Sequence, residues 1–131
     1  SNTVSGYYSF LGGGKCNTVS GYFATIGGGQ CNTVSGYFAT IGGGRLNTAS
    51  ALCSFIGGGK ENHIQSPHTD SFIMGSCIIT HAACTTHTNN LTVSGSIGGN
   101  SVVIMRGLPA SDPTNIGQLW NDGGTLKISA G

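Results

Sequence analysis

Asn17-Thr-Val-Ser-Gly-Tyr-Phe-Ala-Thr-Ile-Gly-Gly-Gly-Gln-Cys31 is one unit of a pattern that recurs every 15 residues. Asn2, Asn17, Asn32, Asn47 and Asn62 open successive units, and four units close on an intact Gly-Gly-Gly, at Gly12 to Gly14, Gly27 to Gly29, Gly42 to Gly44 and Gly57 to Gly59. A short fixed period marks stacked coils, in which each unit covers only its neighbours and none folds alone. Within the unit, two short runs rich in β-branched and aromatic residues alternate with glycine turns, which predicts strands and not helices. Each unit is then one turn of an all-β parallel β-roll, rising by about 4.8 Å.

Aligned on this period, Val4, Val19, Val34, Ala49 and Ile64 form one apolar column. Leu11, Ile26, Ile41, Ile56 and, after a two-residue slip, Ile73 form a second, and Tyr7, Tyr22, Tyr37 and Leu52 a third. Strand alternation places Tyr8, Phe23 and Phe38 opposite that third column, so one of the two faces outward or towards a partner chain. The rings of Tyr8, Phe23 and Phe38 are expected to seal an inter-chain core, and if they face out they are the candidate contact surface. The asparagines are expected to brace a turn through a ladder in which one side-chain amide bonds the next. The glycine triplets permit positive φ and close approach of neighbouring backbone. Lys15, Gln30, Arg45 and Lys60 read as a solvated edge in which the neutral Gln30 separates two cations. Gly-Gly-Gly-Lys is no phosphate loop, because neither a Ser or Thr nor a helix follows the lysine.

Charged residues make up only 7% of the 131-residue chain and glycine fills 24 positions, so little of the surface is suited to water. Association with further copies of the chain is the expected remedy. A net charge of +1 without a basic or acidic block disfavours nucleic acid and anionic membranes as partners. No run approaches the roughly 20 apolar residues of a membrane span, so no membrane insertion is expected. Ser1 already stands in phase with the repeat, as expected of a piece of a longer array. The five cysteines, an odd number, are read as free and buried or half-buried thiols, since Cys16 and Cys31 share a column that Leu46 and Glu61 continue.

Cys77, His81, Cys84 and His87 place four soft-metal ligands within eleven residues, but the spacing matches no common zinc pattern. The expectation is no metal and no cofactor, with His81 and His87 as the residues that would act as axial ligands on a symmetry axis. The acids Glu61, Asp70, Asp112 and Asp122 are scattered, and Asp70 near His68, Ser66 and Ser71 lacks any nucleophile-elbow pattern, so no enzyme is expected. Thr3-x-Ser5, Thr18-x-Ser20, Thr33-x-Ser35 and Thr48-x-Ser50 would form two hydroxyl rows similar to the threonine arrays of solenoid ice-binding proteins, with Ser in place of the second Thr. Asn90-Leu-Thr92 is an N-glycosylation sequon.

From Gln65 the pattern loosens: Pro67 and His68 stand where aromatics stood, and Met74 replaces the first glycine of the triplet. Residues 76–94 lack triplets and are expected to leave the roll, in a neck where chains wrap one another. Gly95-Ser-Ile-Gly-Gly-Asn100 reads as a hinge, Ser101 to Met105 as a strand, and Gly107 to Pro113 as an extended loop. Asn121-Asp-Gly-Gly124, between Gln118-Leu-Trp120 and Thr125 to Ser129, predicts a hairpin too small to stand alone.

The units resemble the head repeats of trimeric autotransporter adhesins and the collar and shaft repeats of viral and phage tail fibres over about residues 1–75. Cys84-Thr-Thr-His-Thr-Asn-Asn-Leu91 is similar to the stretch that leaves such repeats in tail fibres, and Gly107 to Ser129 resembles a C-terminal segment of phage and giant-virus structural proteins. The resemblance implies a homotrimer of β-rolls: a repeat region over 1–75, an intertwined exit segment over 76–100, and a C-terminal hairpin over 101–131 that registers the trimer or forms its tip. It also implies a virion surface appendage or extracellular location, with a host receptor or glycan as a partner in attachment. The adhesins continue into heptads and a membrane anchor, neither of which this chain contains, so the viral or free-fibre context is preferred. Two other readings stay open: a free-standing fibril subunit or cell-surface adhesin, with coils adding end to end through exposed strand edges, and an ice-binding β-solenoid.

Overall fold

Because the apolar columns repeat every 15 residues, the backbone closes one coil per repeat and stacks the coils in register. The computed structural model describes residues 1–91, 110–111, 119–123 and 125–130, in two units, Ser1–Leu91 and Thr92–Gly131. The first unit is a β-solenoid with two parallel sheets. One is built from β1 (Thr3–Val4), β3 (Thr18–Val19), β5 (Thr33–Val34), β7 (Thr48–Ala49) and β9 (His63–Ile64). The other holds β2 (Phe10–Leu11), β4 (Thr25–Ile26), β6 (Thr40–Ile41), β8 (Phe55–Ile56), β10 (Phe72–Met74) and β11 (Thr86–Thr88). A third side carries single-residue bridges that link Lys15, Gln30, Arg45 and Lys60.

The two long apolar columns meet between the sheets. Val19, Val34, Ala49 and Ile64 from one side and Ile26, Ile41, Ile56 and Ile73 from the other are fully buried, with Ala24, Ala39 and Ala51 filling the corner between them. Each such isoleucine contributes about 1.5–3 kcal/mol by leaving water. The slip expected before Ile73 is present: Ile73 pairs with Ile56, 17 positions earlier, and the extra residues are taken up in the turns between Gln65 and Asp70.

The asparagine ladder differs from an amide-to-amide chain. Asn17, Asn32, Asn47 and Asn62 are buried, and each backbone N–H donates to Oδ1 of the preceding asparagine at 3.0–3.1 Å. Nδ2 instead donates to two glycine carbonyls, as Asn32 does to Gly28 at 3.0 Å and Gly44 at 2.9 Å. Main-chain groups are the nearer partners because the corner folds the glycine loop over the side chain. At the last glycine of each triplet, Gly14, Gly29, Gly44 and Gly59 have φ of 83° to 97°, and a Cβ there would run into the carbonyl oxygen of the next coil.

Residues 76–91, expected to exit, instead wind a further coil. Ile79 bridges to His63 and β11 pairs with β10 in parallel register, so the first unit runs to Leu91. Main-chain bonds such as Cys77 N–H to the Lys60 carbonyl at 2.8 Å continue, and in place of a triplet side chains brace the turn: Asn89 Oδ1 accepts the Ser76 N–H at 2.7 Å, and Asn62 Oδ1 accepts that of Ile78 at 3.1 Å. In the second unit β12 (Leu119–Asp122) and β13 (Thr125–Ile128) pair antiparallel from Leu119↔Ile128 to Asp122↔Thr125, and Gly123 takes φ 57°. The expected hinge over 95–100 and strand over 101–105 lie outside the described residues. No helix of the described residues is long and apolar enough to cross a membrane.

Candidate functional site: paired aromatic ladders

Every coil turns two corners on a non-glycine residue in the left-handed region. Tyr8, Phe23, Phe38, Cys53, Asp70 and Cys84 occupy one corner and Cys16, Cys31, Leu46, Glu61 and Cys77 the other, with φ between 52° and 59°. This conformation costs about 1–2 kcal/mol per residue and persists where the surroundings over-determine it. Here the corner N–H is tied to the coil before it: Phe23 N–H to the Tyr7 carbonyl and Phe38 N–H to that of Tyr22, both at 3.0 Å.

The corner breaks strand alternation and sends both aromatic columns outward. Tyr7, Tyr8, Tyr22, Phe23, Tyr37 and Phe38 are 39–81% exposed. The expectation that alternation sets the two columns on opposite faces is therefore corrected, since Ala24 and Ala39 occupy the interior after the corner. The outward rings stack along the axis. Tyr7–Tyr22 and Tyr22–Tyr37 centroids are 5.3 and 4.9 Å apart, and Tyr8–Phe23 and Phe23–Phe38 are 5.0 and 5.1 Å apart. Interplanar angles fall from 44° at Tyr22–Tyr37 to 5° at Phe23–Phe38. Each stacked pair adds about 0.5–1.5 kcal/mol beyond area burial. Rings inside a ladder have both faces covered by neighbours, so what they offer outward is apolar edges and, along the tyrosine column, hydroxyls.

The same corner geometry overturns the expectation of buried or half-buried thiols for four of the five cysteines, Cys31 alone being half-buried. Cys16, Cys53, Cys77 and Cys84 are exposed and Cys31 is half-buried, because all five stand at left-handed corners, Cys16, Cys31 and Cys77 in one column and Cys53 and Cys84 in the other. Cys77 and Cys84 thus point outward from different corners. His81 and His87 are close, at 4.8 Å between centroids with rings edge to face, and His87 is buried beside Thr85 Oγ1 at 3.3 Å. Among the described residues, no group of three or more His, Cys, Asp or Glu gathers to hold a metal. His68 Nδ1 is held by Thr80 Oγ1 at 2.7 Å, while Ser71 Oγ donates to the Ala82 carbonyl at 3.1 Å.

The cation column lies exposed as expected, with one loose pair, Arg45 to Glu61 at 3.9 Å, of little energetic weight. Thr3, Thr18, Thr33 and Thr48 stand in direct register, and His63 ends the row. Asn90 is exposed, and Thr92 of its sequon lies outside the described residues. Sequence reasoning identified both aromatic columns but missed their shared face. The available signal was the Gly-Tyr-aromatic step, where a glycine before paired rings marks a turn and not a strand. No protein-family model, curated protein or solved structure matches the chain significantly.

Proposed function

We propose that this chain is a structural segment of a homotrimeric fibre, a virion or tail-fibre-like appendage that projects or connects, located on a virion or outside the cell. The observation that carries this reading is the pair of aromatic ladders, an apolar strip left exposed on a chain with only 7% charged residues. Tyr8, Phe23 and Phe38 form its more apolar edge and seal the contact between protomers. The tyrosine ladder runs beside it with its hydroxyls at the rim. Contiguous exposed apolar surface of this kind marks an interaction site.

The fold suits a mechanical role. Hydrogen bonds between coils run along the solenoid axis, and each coil is held mainly by its neighbours, so load passes from repeat to repeat. Host attachment, where it occurs, belongs to the trimer surface. Sugar stacking needs an open ring face, and the ladders leave such faces only at their ends. No chemical step is assigned to the chain, and no nucleic acid or membrane is part of the reading.

Light scattering tests it. The expected mass is three times the 13.2 kDa of one chain, and replacing Tyr8, Phe23 and Phe38 together by serine should give folded monomers, since these rings lie outside the solenoid core. A well-folded monomer for the unaltered chain would overturn the proposal.

A further inference from the structure

The outward side of the sheet that holds β2, β4, β6, β8 and β10 carries a column of its own: Phe10, Thr25, Thr40, Phe55 and Phe72, in direct register. Phe55 and Phe72 stack with centroids 4.5 Å apart. Phe10 stands three strand steps from Phe55, about 14 Å, and the two threonines between them leave a notch two rings deep. Beside the notch the backbone is bare. The Phe10 and Phe55 rings come within 3.4 and 3.5 Å of where a Cβ would stand on Gly12 and Gly57, whereas only main chain comes that near Gly27 and Gly42.

The corner column is the complement of this face, coil by coil. It carries Phe23 and Phe38 in the two coils where the face has threonine, and Cys53 and Asp70 in the two where the face has Phe55 and Phe72. Phe23 and Phe38 are 5.1 Å apart with planes within 5°, the spacing and attitude of the two rungs missing from the stack. Within one chain neither column fills the other, since Phe10, Phe23 and Phe38 stay 59%, 48% and 55% exposed. Only the first coil has a ring in both, and Tyr8 and Phe10 are the most exposed rings of their columns, with room to turn aside.

We propose, resting on the homotrimer reading above, that the notch over Thr25 and Thr40 seats Phe23 and Phe38 of the neighbouring protomer. One stack then runs Phe10, Phe23, Phe38, Phe55, Phe72 across two chains. Because each side contributes a different patch, the contact is heterologous and closes into a ring by rotation. Rotation about an axis parallel to the solenoids keeps every coil at its own height, so Phe23 arrives level with Thr25 and Phe38 with Thr40. A slip of one coil in either direction drives a ring onto Phe55 or Phe10, so the same contact sets the axial register of the chains. Taking about 200 Å² for a fully open large side chain, the three corner rings and, on the opposite face, Phe10, Phe72 and Met74 give each protomer roughly 700 Å² of apolar surface to bury in its two contacts. That approaches the roughly 800 Å² per partner of a standard stable interface.

Thr25→Phe with Thr40→Phe completes the stack within one chain and leaves no room for the neighbour's rings. Both threonines face away from the core, so far-ultraviolet circular dichroism should be unchanged while light scattering falls from three chain masses to one. Thr40→Phe alone, one ring added to the Phe55–Phe72 stack, is the milder variant and should raise the concentration of half-dissociation at least tenfold. The same pair of changes on the other sheet, Thr18→Phe with Thr33→Phe, should leave the trimer intact. Adding Phe23→Ser and Phe38→Ser to the notch-filled chain moves the rings from one column to the other and should restore the trimer. A trimer that survives notch filling, is lost equally on the other sheet, or does not return when the rings are moved would overturn this seat and leave the homotrimer standing. A monomeric unaltered chain would overturn both.

Discussion

Asn32→Asp exchanges one NH2 group for an oxygen at the centre of the solenoid and tests the main account of its stability. Asn32 is fully buried; its Oδ1 accepts the Asn47 N–H at 3.0 Å, and its Nδ2 donates to the carbonyls of Gly28 and Gly44 at 3.0 and 2.9 Å. Aspartate keeps the first bond and turns the other two into oxygen facing oxygen. The Gly44 carbonyl retains the Gln30 N–H at 2.9 Å, so its loss is partial. Two lost bonds at about 1 kcal/mol each, with about 1–3 kcal/mol for a group left without a partner, give a cost near 3–5 kcal/mol at neutral pH. A protonated carboxyl can donate to one of the carbonyls, so folding raises the carboxyl pKa above its ordinary value near 3.9. The folded variant then binds more protons than the unfolded one, and its stability falls as pH rises through the raised value. The deficit should be largest at neutral pH and shrink on acidification. Urea unfolding followed by far-ultraviolet circular dichroism, at about pH 7 and about pH 4 and fixed protomer concentration, measures both. An unchanged midpoint at neutral pH, or a deficit that grows in acid, would refute the ladder as the brace of the coil.

Two further predictions separate backbone from core. Gly44→Ala forces a Cβ onto the Gly59 carbonyl oxygen at φ 93°, whereas Gly43→Ala meets nothing within 4 Å. Thermal melts should therefore show the first severely destabilised and the second neutral or raised by about 0.4–1 kcal/mol. Ile41→Ala, between Ile26 and Ile56 in the buried column, should cost about 2–5 kcal/mol in urea unfolding. Since the coils are coupled to their nearest neighbours, the same change should broaden the transition as the flanking coils lose cooperativity.

The repeat by itself determined the architecture. An apolar column that returns every 15 residues can be buried only if the chain closes one coil per period, and a triplet of glycines at each return supplies the turn. The core residues Val19, Ile26, Val34 and Ile41 were legible for that reason, as was the slip before Ile73. What lay beyond sequence was the direction of side chains at corners. Tyr8 and Cys16 look like members of alternating strands until the backbone enters the left-handed region, which throws both outward and leaves the aromatics on one face. Sequence also could not reveal that residues 76–91 keep winding after the triplets stop, because the side-chain bonds that brace the turn there, from Asn89 to Ser76 and from Asn62 to Ile78, join positions 13 and 16 apart and exist only once the coil is closed. Periodicity specifies which residues must share an interior; tertiary hydrogen bonding decides which strained corners and irregular turns the closed coil can sustain.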